Sequence, residues 1–547
     1  MTTVAQLLGA LRDKDVSLWV EGDQLMFDAP EDALTPADLD LIRAHKPAIL
    51  ELLKVASPDA MASTVEIVDR RRAVASALAQ TRMWPLARAA GVGAAYNVQL
   101  VLALRGELDR AALGAALDAL VARHESLRTV FSPDGAEQSF VAPAGLPLAV
   151  IDVTGLAPAE RDRAALTHAR DDARTPLDLR TGPLVRASLV RLGAAEHLLF
   201  IAAHHIITDC RSMEVVQKEL AALYAAFHRG QPDPLPAQPF GYADFAAWQR
   251  RAQAVPLLRD QLAYWTRQLA GAPRLLTLPT DRPRPPARSF RGASFDLALG
   301  PELTSGLRAL ARRQDVTLSM TLHAGWAALL SRLAGQLDVL VGVPVANRQR
   351  PELGDLVGLF VNTVVLRSTL TADTTVGELL GQVKDTTLSA HARQELGFEQ
   401  IVEALGVPAD PAYNPMFQAL FSFVLAATPQ EPLRLPGVTL FHKAAPSAAA
   451  GPDELVVQET EAYIEGGLAA ARREGGHLFG CGAGGSVDVS LLLREAGDRI
   501  VGGINYAADL FDRATVERWA HGLRAVLAAM IRDPEARIAA LPLSEPA

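Results

Sequence analysis

From about residue 73 onward, apolar runs of strand length alternate with amphipathic helical stretches, and this alternation limits the fold more than any other feature of the sequence. Residues 198–203 read Leu-Leu-Phe-Ile-Ala-Ala, and residues 339–345 read Val-Leu-Val-Gly-Val-Pro-Val. A run without a polar face is buried on both sides, so each belongs inside a sheet that helices cover. Residues 417–425 and 487–493 are further strand candidates. Residues 113–121, 215–227 and 516–531 place apolar side chains at helical spacing. The predicted class is α/β (α+β). Residues 275–288, rich in Pro and Arg, form a crossing loop between two lobes. No repeat of solenoid period is present.

The 547 residues suffice for three or four units of about 150 residues. Hydrophobic residues at 49% and charged residues at 21% are ordinary for a globular chain. The net charge of −9 and the lack of a long basic run disfavour nucleic-acid binding. Two cysteines, Cys210 and Cys481, make no disulfide framework, which fits a reducing cytosol. The first residues lack a basic start and an apolar core, so no signal peptide is expected. No window is long and apolar enough to span a membrane. The expected setting is cytoplasmic.

The first 54 residues read as a separate α-β-β-α-α module. Val4, Leu7, Leu8 and Leu11 recur at helical spacing. Ser17-Leu18-Trp19-Val20 and Gln24-Leu25-Met26-Phe27 flank a Gly22-Asp23 turn, a hairpin pattern. Thr35 then caps a helix that starts at Pro36, and Pro47 is expected to break or kink it, giving two helices. A weakly periodic linker follows, and Arg70-Arg71-Arg72 reads as a solvated charged edge.

The sharpest chemical feature is His204-His205-Ile206-Ile207-Thr208-Asp209-Cys210, placed directly after an apolar strand. Adjacent side chains on extended backbone point to opposite sides, so one histidine can face a cavity while the other packs. A neutral imidazole accepts or positions a proton near pH 7. The Asp serves as an orienter or as half of a buried ion pair. Adjacent histidines rarely converge on one ion, and no carboxylate or thiol cluster stands at ligand spacing nearby, so no metal is expected.

This segment resembles the HHxxxDG motif of nonribosomal peptide synthetase condensation domains, which are relatives of chloramphenicol acetyltransferase. Residues 79–84 (AQTRMW), 123–131 (RHESLRTVF), 242–248 (YADFAAW), 342–348 (GVPVANR) and 357–363 (VGLFVNT) resemble the other motifs of that family, in the same order. The N-terminal module resembles TubC-type docking domains of hybrid polyketide–peptide assembly lines. The resemblance implies a docking domain over 1–56, a linker over 57–72 and a condensation domain over 73–547. It further implies two acetyltransferase-like lobes in a V-shaped pseudo-dimer, with an N-lobe at about 73–250 and a C-lobe at about 251–547.

A tunnel between the lobes is implied, with His205 as the catalytic residue. His204 and Asp209 are implied to support structure, and Arg348 is the expected partner of Asp209. Asn362, Trp248 and Tyr242 are tunnel or bridge candidates. Upstream and downstream carrier proteins are the implied partners, each presenting substrate on phosphopantetheine, with no cofactor bound to this chain. An exposed strand edge accepts a partner strand. With ten acidic and five basic residues among the first 54, the module is expected to take a basic C-terminal tail from an upstream synthase, at Trp19, Val20, Leu25 and Phe27. An acyltransferase that uses a free amine, alcohol or coenzyme A, and a non-catalytic recruitment module, share the fold and remain alternatives.

The sequence departs from the family at three places. Cys210 stands where the family has Gly, a residue suited to close approach and positive φ. Residues 412–415 keep only part of an RDxSxNP motif. Residues 448–485 are longer and richer in Gly. Within them Gly480-Cys481-Gly482-Ala483-Gly484-Gly485 fits GxGxxG, but a strand rather than a helix is expected next, so no dinucleotide site is read there. Gly485-Ser486 imitates a carrier attachment site without a carrier around it.

Overall fold

In the computed structural model the described residues are 16–21, 24–28, 34–35, 38–39, 41–47, 49, 65–88, 93–252, 256–424, 434–435, 438–440, 477–481 and 487–544. In the N-terminal module, β1 (Ser17–Glu21) and β2 (Gln24–Asp28) form the expected antiparallel hairpin, with Trp19 opposite Met26 and Val20 opposite Leu25. Leu25 is half-buried. The side chains of Trp19, Val20 and Phe27, and the helix expected over residues 4–11, lie outside the described residues. Thr35 caps the next helix reciprocally: the Asp38 N–H donates to Thr35 Oγ1 (3.3 Å), and the Thr35 N–H donates to Asp38 Oδ2 (2.8 Å). Pro47 is itself helical.

The chain then builds β3 (Val74–Ala75), α1 (Leu78–Arg88), β4 (Asn97–Gly106), α2 (Arg110–Arg123), β5 (Thr129–Phe131), β6 (Glu137–Phe140), β7 (Leu148–Asp152), α3 (Pro158–Arg174), β8 (Val185–Arg191), β9 (Glu196–His204), α4 (Cys210–His228) and α5 (Tyr242–Ala252). The second part holds α6 (Pro256–Gln268), β10 (Gly292–Leu299), α7 (Pro301–Arg313), α8 (Leu318–Ala334), β11 (Asp338–Val345), β12 (Asn362–Thr369), α9 (Val376–His391), α10 (Phe398–Ala404), β13 (Ala419–Val424), β14 (Arg434–Leu435), β15 (Val438–Leu440), β16 (His477–Cys481), β17 (Val489–Ala496), β18 (Arg499–Ala507) and α11 (Arg513–Arg532).

Two large sheets result, each covered by helices. The first runs β14-β15-β4-β9-β8-β7, with β16 also on β4. Its β9 is buried from His197 to His204 because both faces are covered. Leu199 and Ile201 join Leu117 and Leu120 of α2 and Met213 and Leu220 of α4, while Leu198 and Phe200 meet Ala165 and Ala169 of α3. The second sheet runs β10-β18-β17-β13-β11-β12. Phe295, Val341, Leu491 and Ile504 on one face pack with Trp326 of α8 and Leu523 and Leu527 of α11. Leu340 and Leu366 on the other face pack with Trp265 and Phe398.

Three expectations need correction. The linker does not extend to residue 72: Val65 is buried in the first core, and the Val68 N–H donates to Asp244 Oδ1 at 2.7 Å. Arg70 is no solvated edge. Its guanidinium reaches Glu125 (2.8 Å) and Asp244 (2.6 Å), because two carboxylates from different elements converge there. Arg71 and Arg72 are exposed, as expected. Finally, the second lobe does not keep all of residues 251–547 to itself, since β14, β15 and β16 cross back onto the first sheet.

Candidate active site

β9 ends at His204, a short turn carries His205 to Ile207, and α4 starts at Cys210. Asp209 starts that helix as its N-cap, taking the Ser212 N–H at 2.7 Å. The two histidines part company as alternation requires. His204 is buried, its Nδ1 accepts the Ile206 N–H at 3.0 Å, and burial pushes its pKa down to about 3. It is therefore uncharged near neutrality, with its ring hydrogen on Nε2.

His205 Nδ1 lies 2.6 Å from the carbonyl oxygen of Thr208. A carbonyl only accepts, so Nδ1 carries the hydrogen of the neutral ring, and Nε2 holds the free lone pair. Nε2 has no hydrogen-bond partner among the described residues. Burial lowers the His205 pKa from its ordinary value, yet the residue keeps part of its surface in contact with solvent. The His205 N–H donates to the Tyr96 carbonyl at 2.8 Å, which ties the turn to the start of β4.

Around Asp209 the two halves of the molecule are joined. Arg348 Nη2 lies 3.2 Å from Asp209 Oδ1 and 2.7 Å from Ser212 Oγ, and both charged side chains are 5% exposed. Arg348 Nη1 donates to the carbonyl of Leu356 at 2.8 Å, and its guanidinium lies 4.0 Å from the centre of the Phe360 ring. The Phe360 N–H donates to Asp209 Oδ2 at 3.0 Å, and the Gly358 N–H donates to Ser212 Oγ at 3.0 Å. Tyr242 is fully buried, stacks edge-on to Phe360 at 5.1 Å, and donates its hydroxyl to Leu359 O at 2.6 Å. Trp248 is buried in the first core, with Arg350 over its ring at 5.3 Å. Asn362 spends its amide on the carbonyls of Gln394 (2.8 Å) and Leu396 (2.7 Å) and on the N–H of Phe398, which fixes the turn before α10.

Cys210 is exposed and disulfide-bonded. Residue 210 is the first of α4 and has no positive φ, so a side chain there is tolerated without backbone strain. Sequence reasoning did not single out Tyr96, Ser212 or the Arg82–Glu399 pair. Arg82 Nε meets Glu399 Oε1 at 2.7 Å, linking α1 to α10, and its charge acts on His205. Ser212 stands three residues past the capping Asp209, and no sequence signal marked its hydroxyl.

Residues 71–434 match the model of the condensation domain, and residues 4–54 match that of the TubC N-terminal docking domain. The chain is 36% identical over 490 residues to malpinin synthetase of Mortierella alpina, covering 89% of this chain and 6% of that protein. It is 41% identical over 345 residues to phosphinothricin tripeptide synthetase PhsC of Streptomyces viridochromogenes, covering 63% of this chain and 32% of that one. It thus spans a small part of these relatives. Among solved structures, the X-domain from teicoplanin biosynthesis is 27% identical with a TM-score of 0.73, over 88% of this chain and 99% of that one. The first condensation domain of the calcium-dependent antibiotic synthetase shares the fold at a TM-score of 0.64 and 21% identity, over 86% and 99%. Motif residues, paired sheets and family match agree: this chain belongs to the condensation-domain family of nonribosomal peptide synthetases and carries a TubC-type docking domain at its N-terminal side.

Proposed function

We propose that the chain joins an acyl thioester on one carrier protein to an aminoacyl amine on another, inside a hybrid polyketide–peptide assembly line. The amine nitrogen attacks the thioester carbonyl, and a C–N bond forms as the nitrogen gives up a proton to His205 Nε2. The tetrahedral intermediate collapses, the C–S bond breaks, and the imidazolium returns the proton to the leaving pantetheine thiolate. The products are an amide and a free thiol. Positioning two long arms supplies much of the rate, and proton transfer supplies the rest.

One observation carries this reading: the hydrogen bond between His205 Nδ1 and Thr208 O, 2.6 Å long, leaves Nε2 as the basic nitrogen. Asp209 and Arg348 hold the turn rather than act on substrate. Trp19, Val20, Leu25 and Phe27 of the hairpin take a basic tail from an upstream synthase, and phosphopantetheine arrives on the partners.

A second reading has a specific observation behind it. The similar X-domain has been solved in complex with OxyB (TM-score 0.73, 27% identity), so a recruiting module without turnover is the rival. The deciding experiment combines the chain with a loaded donor carrier and either a loaded acceptor carrier or the free acceptor, and weighs the products. Amide on the acceptor carrier supports condensation. Product with free acceptor alone supports a free-standing acyltransferase, and no product supports recruitment.

A further inference from the structure

Phe290 lies on the crossing loop just before β10, far in sequence from the histidine motif. Its φ is +58°, a left-handed conformation that a bulky aromatic residue rarely adopts. Such outliers persist only where the surroundings hold them, and they collect at functional sites. Here both sides of the loop are tied to the second half of the molecule. The Arg288 N–H donates to Pro411 O at 2.9 Å, the Ser289 hydroxyl bonds Asp509, and the Ala508 N–H donates to Arg291 O at 3.0 Å. The Phe290 side chain nevertheless packs with the core of the first half.

Its ring meets Tyr96 edge-on at 6.2 Å, and the Arg288 guanidinium lies 5.1 Å from the Phe290 ring centre. Tyr96 is buried, its ring lies 6.4 Å from that of His204, and its carbonyl receives the His205 N–H at 2.8 Å. The path from the loop to the imidazole therefore contains a single intervening residue.

We propose that Phe290 is a positioning residue for His205: a peg from the second lobe that fixes Tyr96, and through the Tyr96 carbonyl fixes the turn that aims Nε2. The strained backbone places the ring where an ordinary conformation would point it elsewhere. Tyr96 passes on the position, and the Nδ1 bond to Thr208 sets the tautomer. Phe290 touches no reacting atom in this scheme. The proposal rests on the amide-forming reading above, so its test includes a readout that does not depend on turnover.

The test compares Phe290→Ala, Phe290→Gly and Phe290→Tyr in the whole chain. Glycine accepts a positive φ, so Phe290→Gly removes the ring while relieving the backbone. Both ring-less variants are expected to lose about 10- to 100-fold in kcat, the scale of a misplaced catalytic group, with carrier KM within about twofold of wild type. Phe290→Tyr keeps the ring and is expected to stay within about threefold of wild type. In parallel, carbethoxylation of His205 by diethyl pyrocarbonate, followed by peptide mass, is expected to change at least threefold in both ring-less variants. Wild-type kcat in Phe290→Ala, recovery of kcat in Phe290→Gly, or loss confined to KM overturns the proposal. If the wild-type chain forms no amide, the catalytic reading fails on its own, and unchanged His205 labelling across the series then overturns the peg.

Discussion

At the scale of single residues, a base with a lowered pKa has a definite pH signature. His205 must be neutral to accept a proton, and burial moves its titration below the ordinary 6.5. The acceptor α-amine titrates at about 7.7–8.0 and sets an acid limb of its own, so the His205 share is read from the ratio of the wild-type rate to that of His205→Ala, which should stay level from pH 8 down to about 6.5 and fall only below that. A ratio that already falls above pH 7 would contradict this assignment. Asp209 poses a different question. It is buried with Arg348 and takes N–H groups from Ser212 and Phe360. Asp209→Ala leaves a buried guanidinium without its counter-charge, a loss of about 3–5 kcal/mol. A calorimetric melt should show a clearly lower Tm, and an unchanged Tm with slowed turnover would instead make Asp209 a catalytic group. The sequence made the motif and its charge partner readable, because those residue types stand at fixed spacing. It held no sign of which His205 nitrogen is basic, since that depends on a carbonyl placed by the turn, nor of the strain at Phe290, since φ is a tertiary outcome.

Elements show how distant motifs interlock. Gly358 sits beneath the Tyr242 ring, where an added Cβ would overlap the ring carbons. That close approach lets the Tyr242 hydroxyl reach Leu359 O and the Gly358 N–H reach Ser212. Gly358→Ala should cost about 1–3 kcal/mol through overpacking and loosen the hold on Asp209. A thermal melt checks it, and wild-type stability would mean that the ring has room to move. β9, β11, β17, α2, α4 and α11 were legible because each is long enough to show its period. β14, β15 and β16 were not. They have two, three and five residues, and β4, on which β15 and β16 pair, lies far earlier in the chain, so no local pattern announces the crossing. Arg70 escaped for a similar reason: the carboxylates that bind it come from residues 125 and 244.

Across the whole molecule, two buried histidines tie stability to pH. His323 lies in the second core with neither ring nitrogen bonded, and burial pushes its pKa down to about 4, while that of His204 falls to about 3. Both values lie below the 6.5 of an unfolded chain, so between these limits the unfolded state binds more protons. Stability is therefore full above about pH 6.5 and declines as pH falls toward 4, by up to about 3 kcal/mol for His323. His323→Leu removes that share, and denaturant midpoints at pH 7 and pH 5 should draw closer together; an unchanged gap would contradict it.

At this scale everything turns on His205 working between two tethered substrates. The most direct test is the intact mass of a loaded acceptor carrier after mixing with a loaded donor carrier and either the wild-type chain or His205→Ala. The wild type should raise the acceptor mass by one acyl group, with His205→Ala about 10²–10⁴-fold slower. No mass gain with the wild type, or an equal rate with the variant, would contradict it.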